Sequence, residues 1–442
     1  MNMQDSVAYL GEIAKKSNAE QFDIIAGNSN SRGITVFNGA MQNTEISSSC
    51  GIGIRIFKNH KPGYASTEKF SKESLSQTLA DALSNSEYTE PINAELPGPA
   101  TLGSPLDVYN PELESIEISR LLSDCLDVEK RVLAESEIKN VPDLGAEIAS
   151  SNSIFANSKG VFFEDRRNSF GIYAGAVAER NGILKMGWHV KGGKNFSDFS
   201  VERFSQKVVK RAKELLSPKP IKSAKLPVIF SKRVSSKILS IYLSSFFADN
   251  AQKGLSRLKG KIGENIASSE FSLISEPLNS LYPGCALIDD EGIPTANLCV
   301  VEQGCFKNFL YNIEAASKEK RASTGHGVRG FASKAKTSFL NAIVRTGTKS
   351  GEELLALFPN CLLITHLEGS SGCNSVSGEI SIGAQGFWCE KGIPVHAVDN
   401  FTISANFFDM LKNITGVGKE YNNSYSNVKV PSLAVCEMSV SA

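Results

Sequence analysis

Ile34-Thr-Val-Phe-Asn-Gly-Ala-Met-Gln-Asn-Thr-Glu-Ile-Ser-Ser-Ser-Cys-Gly-Ile-Gly-Ile-Arg-Ile-Phe57 is the stretch from which the fold class follows. It holds three strand-like runs: Ile34 to Phe37, Thr44 to Ser49 and Gly51 to Phe57. Asn38-Gly39 between the first two is a hairpin signal, since a two-residue turn favours residues that tolerate positive φ. Ser31-Arg32-Gly33 separates this block from an earlier apolar run, Phe22 to Ala26, read as a further strand. Helices flank the strands. Val7, Leu10, Ile13 and Ala14 share one helical face upstream. Downstream, past a turn at Lys61-Pro62-Gly63, Ser71 to Leu83 reads as a helix capped by Ser71. Hairpin strands beside separate helices predict an α+β fold.

The same pattern repeats outward. Residues 88 to 113 carry five prolines and little periodicity, which predicts a loop. Ile118, Leu121, Leu122, Cys125, Leu126, Val132 and Leu133 then recur at helical spacing, so Cys125 is expected in the core. Antiparallel strands are expected over residues 145 to 190, with turns at Asn157-Ser158-Lys159-Gly160 and Arg180-Asn181-Gly182. Val201 to Leu216 reads as a helix. Pro218 and Pro220 mark Ser217 to Lys225 as the linker. Beyond it come an apolar strand, Leu226 to Phe230, and a helix from Arg233 to about Asn250. Cys361 to Thr365 and Ile380 to Ile382 read as strands, and Phe407 to Ile414 as a late helix. The 442 residues divide into residues 1–220, an N-terminal α/β domain with antiparallel strands, and residues 221–442, a strand-rich domain.

Composition excludes several classes. Forty-seven Lys and Arg balance forty-seven Asp and Glu, which disfavours a dedicated nucleic-acid binder. The local cluster Lys253, Arg257, Lys259 and Lys261 reads as a solvated face. No run approaches the roughly 18 apolar residues of a membrane helix, and Met1 to Ser17 lacks a signal-peptide core. Nine cysteines without a Cys-x-x-Cys pair read as reduced thiols of a cytoplasmic protein.

No local motif carries chemistry by itself. The five histidines, His60, His189, His326, His366 and His396, are each at least 30 residues apart. No His-Glu-x-x-His is present, so the local pairing that marks many zinc sites is missing. Ser47-Ser48-Ser49-Cys50-Gly51 lacks the strained elbow of a serine nucleophile. Gly51-x-Gly53-x-Arg55 is half of a dinucleotide fingerprint but is followed by strand, so its glycines are expected to let a strand twist or bulge. Asp289-Asp290-Glu291-Gly292 reads as a turn with Gly292 at positive φ. A general base or cation site is its alternative reading.

Five blocks in order resemble the TldD/PmbA (TldD/TldE) family. They are Gly51-Ile-Gly-Ile-Arg55 with Gly63-Tyr-Ala-Ser-Thr67, Asp290-Glu-Gly292, Ser323-Thr-Gly-His-Gly327, Gly378-Glu-Ile-Ser-Ile-Gly-Ala-Gln-Gly-Phe-Trp388, and Phe401-Thr-Ile-Ser-Ala-Asn406 with Asp409 to Gly418. The last two are similar to the PmbA (TldE) branch. The resemblance implies an N-terminal α/β domain and a strand-rich C-terminal domain of TldD/PmbA type. It implies that TldD subunits are zinc metallopeptidases, with ligands from a His-Glu-x-x-x-His helix and a cysteine near the C-terminus. PmbA-type subunits pair with them without that site. The pair trims unstructured peptides, including a microcin precursor, and the family was first described as modulators of DNA gyrase.

Against that pattern the zinc helix should follow the strand at Leu226 to Phe230. The corresponding region reads Leu243-Ser-Ser-Phe-Phe-Ala-Asp-Asn250 and has no histidine. The C-terminal ligand position falls near Val430, with Cys436 further on in the last strand. The resemblance therefore implies a PmbA/TldE-like subunit of a cytosolic metallopeptidase complex. No catalytic, cofactor or metal residue is assigned to this chain, and zinc is expected in a TldD-type partner. His326, Glu368, Ser370, Ser371 and Glu379 are the candidate cavity-lining residues, four of them from the turn-rich region Glu368 to Ser381. A homodimeric, non-catalytic binding protein that modulates a partner such as DNA gyrase is the alternative. A hydrolase using Cys50 or His326 is a third. Neither direct nucleic-acid nor membrane contact is expected.

Overall fold

The computed structural model describes residues 1–442. In the first half, α1 (Met3–Lys15) precedes three strands, β1 (Gln21–Phe37), β2 (Ala40–Lys58) and β3 (Lys61–Thr67). Helices α2 (Lys72–Asn85) and α3 (Ile118–Leu133) follow, then β4 (Ile138–Asn157), β5 (Phe162–Arg180), β6 (Ile183–Gly193) and α4 (Val201–Lys213). The six strands form one antiparallel sheet in the order β3-β2-β1-β4-β5-β6.

Strand side chains alternate between faces. Phe22, Ile24 and Ala26 of β1 and Ile52, Ile54 and Ile56 of β2 pack against α1 and α2 through Val7, Leu10, Leu75 and Leu79. Ile34 and Val36 point to the same face of β1 and meet α3 and α4 through Leu121, Cys125, Val128, Phe204 and Val208. All four helices therefore cover one face. A fully buried isoleucine such as Ile54 contributes about 1.5–3 kcal/mol there. Ser71 caps α2, its hydroxyl accepting from Ser74 N at 3.2 Å. Burial pushes the Cys125 thiol up to about 12, as expected of a core thiol.

In the second half β7 (Ala224–Phe230) leads to α5 (Ser235–Tyr242) and α6 (Ala248–Gln252). Short strands β8 (Leu273–Ser275), β9 (Leu298–Glu302) and β10 (Cys305–Phe306) precede α7 (Ile313–Lys318), β11 (Gly327–Val328), β12 (Lys336–Thr337), β13 (Ala342–Val344) and α8 (Gly351–Leu355). The chain ends with β14 (Asn360–Glu368), β15 (Glu379–Glu390), β16 (Ile393–Asn406), α9 (Phe407–Lys412), β17 (Ile414–Val417), β18 (Val428–Lys429) and β19 (Leu433–Ser441). A six-stranded sheet runs β16-β15-β14-β7-β19-β17, and β16 also pairs with β19. That extra pairing closes five strands into a barrel, which removes their open edges. A smaller sheet, β10-β9-β8-β13-β18, and the β11–β12 hairpin lie outside it. The fold is α+β and strand-rich, as expected.

Three local expectations differ from the structure. Ser31-Arg32-Gly33 does not break β1, which runs unbroken through both apolar runs and pairs with β2 and β4 on its two sides. Its middle is polar, with Ser29 and Asn30 exposed and Arg32 bonded to the carbonyls of Leu113 and Ile116, so no apolar signal marked it as strand. The runs Thr44 to Ser49 and Gly51 to Phe57 are likewise one strand, β2. The helix from Arg233 to Asn250 is two helices. A short 3₁₀ turn follows α5, and Phe247 is extended because the backbone on either side of it bonds to Leu310 at 2.9 and 3.0 Å.

Candidate functional site

The first helix after β7 is α5, Ser235–Tyr242, so the window Leu243–Asn250 lies one element too late for comparison with a metal-binding helix. Neither segment contains histidine. The start of α5 does meet the C-terminal stretch singled out in the sequence, because Ser235 Oγ donates to the Val430 carbonyl at 3.0 Å. Both residues are buried, and Val430 shares its apolar cluster with Val234, Ile238 and Leu239. A zinc ion wants imidazole, thiolate or carboxylate donors. A hydroxyl and a carbonyl among aliphatic side chains do not fit that requirement. No group of three His, Cys, Asp or Glu in the molecule has metal-binding geometry.

His366, on β14, is held by cations. Arg233 Nη2 lies 3.2 Å from its Nε2, and Arg233 Nη1 donates to Glu214 at 2.5 Å. Burial, then the neighbouring Arg233 and Arg211, pull the His366 pKa down to about 4. A further cation beside that imidazole is disfavoured by the same charges.

The five candidate lining residues do not form one cluster of bonds. His326 is fully buried. Its Nδ1 lies 2.9 Å from Thr324 Oγ1 and its Nε2 lies 2.8 Å from Ser275 Oγ. Glu368, Ser370, Ser371 and Glu379 are exposed around the β14–β15 connection. Glu368 accepts from Gln385 Nε2, and the Glu379 carbonyl accepts from Tyr242 Oη at 2.6 Å. Cys50 is exposed at the middle of β2, with its Sγ 3.6 Å from the Glu68 carbonyl, and no histidine bonds to it.

The motifs meet most closely at a junction between the two halves of the molecule. On β2, Ile52, Ile54 and Ile56 face the helices, so Gly51, Gly53 and Arg55 face the other way. A Cβ on Gly53 would lie 1.8 Å from the Phe331 carbonyl oxygen, and one on Gly51 would lie 2.6 Å from the Phe331 ring. The glycines admit the segment around Phe331. They do not serve a bulge, since the β1–β2 and β2–β3 register is regular there.

Beside them Arg55 Nε donates to Asp23 Oδ2 at 2.9 Å and Arg55 Nη1 donates to Glu291 Oε1 at 2.6 Å. Arg329 Nη2 donates to Asp23 Oδ1. Two guanidinium groups thus face two carboxylates in a site from which water is excluded. Burial alone disfavours the Arg55 charge, but Asp23 and Glu291 outweigh it and hold its pKa above the ordinary value. The Asp289–Gly292 turn supports the cluster. Gly292 has φ +79°, as expected. Asp289 Oδ1 accepts from the Glu291 and Ile293 amides at 3.0 and 2.9 Å, and its Oδ2 accepts from Gly327 N at 2.8 Å. Glu291 Oε2 accepts from Ile313 N at 2.7 Å. Every acid here already has partners, and the arrangement locks the first sheet to the turns around Glu291 and Arg329. Sequence reading missed this junction. The signal available was the alternation Gly-Ile-Gly-Ile-Arg, which puts two glycines and an arginine on one strand face.

Comparison with known proteins matches the chain along nearly its whole length. Domain 1 of the PmbA/TldA metallopeptidases matches residues 22–86, their central domain residues 111–216, and their C-terminal domain residues 223–442. Metalloprotease PmbA of Escherichia coli O157:H7 is 26% identical, with 91% of this chain and 88% of the relative covered. A metalloprotease PmbA homolog of Buchnera aphidicola is 26% identical over 92% of this chain and 90% of its own length. A proposed modulator of a DNA gyrase from Thermotoga maritima superposes with a TM-score of 0.90 at 26% identity, covering 99% of this chain and 100% of that one. TldE from Thermococcus kodakarensis shares the fold with a TM-score of 0.89 at 20% identity, covering 99% and 100%. With all three domains of that family matched in order along residues 22–442, the chain belongs to the PmbA/TldD family of metallopeptidases.

Proposed function

We propose that this chain is a PmbA (TldE)-like subunit of a cytoplasmic TldD/PmbA peptidase complex that processes or degrades unstructured peptides. The metal belongs to a TldD-type partner, and this chain supplies walls of the substrate cavity. One observation supports this reading above others: where α5 meets the C-terminal stretch, Ser235 and Val430 sit in an aliphatic core with no metal donor. β2 adds a route for substrate. Residues 40–50 are exposed, and β3 pairs with β2 only from Ile52 to Lys58. The outer edge of that arm is free to take an extended chain as an added strand.

Metal analysis and peptidase assays test the proposal. The pure chain is expected to hold no stoichiometric zinc and to leave an unfolded peptide intact. Activity should appear on mixing with a TldD-type subunit and disappear with a chelator. Stoichiometric zinc together with cleavage by the chain alone would refute it. The gyrase-modulator name of the Thermotoga relative motivates a second reading, in which this chain modulates DNA gyrase as a non-catalytic homodimer. That reading requires the chain alone to change gyrase supercoiling activity, and no change is expected.

A further inference from the structure

A cleft of about 640 Å³ lies between the end of β6 and the segment joining β17 to β18. Both halves of the molecule contribute to it: Lys191 and Lys194 from the first, Lys232, Tyr282, Tyr425 and Lys429 from the second. Four lysines line it against two carboxylates, Asp198 and Glu420, a surplus of two positive charges in a chain whose net charge is zero. Two of the lysines are already matched. Lys232 pairs with Glu420 at 2.7 Å, and Lys194 pairs with Asp107.

Lys191 and Lys429 have no carboxylate partner. Lys429 is the more telling, because its side chain is buried, with the residue only 5% exposed. A buried ammonium is normally paired with an anion. Here it donates to two backbone carbonyls, Asn422 at 2.6 Å and Ser424 at 2.9 Å, and sits 5.2 Å from the centre of the Tyr282 ring. An ammonium has three donors, so one remains unassigned at the wall of the cleft. Burial draws the Lys429 pKa down, which a bound anion would offset. Tyr282 and Tyr425 supply flat, half-polar walls. No arginine lines the cleft, so the fork that grips phosphate in two places is missing. With Asp107, the partner of Lys194, counted beside Asp198 and Glu420, the surplus is one positive charge, which suits a single monovalent group better than a phosphate chain.

We propose that this cleft binds the C-terminal carboxylate of a peptide, held by Lys429 and Lys191 and flanked by Tyr282 and Tyr425. The choice of a peptide rests on the function proposed above, whereas the preference for a carboxylate rests on the lysines alone.

The test uses the full chain and one fluorescein-labelled, unstructured decapeptide made as the free acid and as the C-terminal amide. Fluorescence anisotropy at low salt should show the acid binding about tenfold or more tighter than the amide, the scale of one charge-assisted hydrogen bond. Lys191→Gln and Lys429→Met should each erode that preference and leave amide binding unchanged. Lys191 is half-buried and unpaired, so its variant keeps the test valid if Lys429→Met does not fold. Equal binding of acid and amide would overturn the proposal, as would a preference untouched by Lys191→Gln. An amide peptide rescued by one added internal aspartate would overturn the assignment to the chain terminus. Such failures leave the zinc and mixing results of the subunit proposal standing, so the two readings fail separately.

Discussion

His326 shows what a single residue meant in sequence and what it became. Its block, Ser323-Thr-Gly-His-Gly327, carried part of the family resemblance, and His326 was a candidate for lining a cavity. The folded chain instead encloses the ring and satisfies it with Thr324 and Ser275. Burial lowers its pKa from 6.5 to about 4. The unfolded chain therefore takes up a proton at this residue before the folded chain does. Its contribution is fully present above pH 6.5 and is lost as pH falls from 6.5 towards 4. The loss over that window is about 3 kcal/mol. His326→Asn should flatten the pH dependence of the urea midpoint between pH 6.5 and 4, measured against wild type. An unchanged slope would mean that His326 is not buried neutral.

At the scale of elements, helices were legible and long polar strands were not. Ser71 caps α2 where the sequence placed it, because a hydroxyl before a helix satisfies an otherwise unpaired amide. Ser71→Ala should cost about 1 kcal/mol, read as a lower denaturant midpoint, while Ser71→Asp should retain most of the stability. The turn at Asn38-Gly39 was equally legible, with φ of +53° and +75°. The rest of the β1–β2 arm was not. Residues 40–50 are exposed, so no apolar alternation marks them. The break between α5 and α6 was hidden for the opposite reason. The apolar pattern continues through Phe246 and Phe247, and only Leu310, far along the chain, diverts the backbone.

At the scale of the molecule, the junction joins residues no local reading could connect. Arg55 and Glu291 are 236 positions apart yet 2.6 Å from contact atom to contact atom. Breaking a buried ion pair from one side leaves charges without partners and typically costs about 3–5 kcal/mol. Arg55→Ala should destabilise the full chain by that amount in guanidinium unfolding, because Glu291 would lose its cation and Asp23 would keep only Arg329. A loss below about 1 kcal/mol would show that water reaches the site.

The sequence by itself determined the α+β class, the Ser71 cap, turns such as Asn38-Gly39 and the family, since each depends on nearby residues or on motifs in order. It also showed that no histidine lies within α5 or the segment that follows it to Asn250. Tertiary structure alone decided what the motifs touch. Gly51 and Gly53 were read as a twist and proved to be a seat for Phe331. Asp289 to Glu291 were read as a turn and proved to support a lock as well. Lys429, unremarkable in sequence, became a buried cation without an anion. The physical reason is the same in each case. Local preferences act over a few residues, whereas burial and charge pairing depend on which distant segments meet in space.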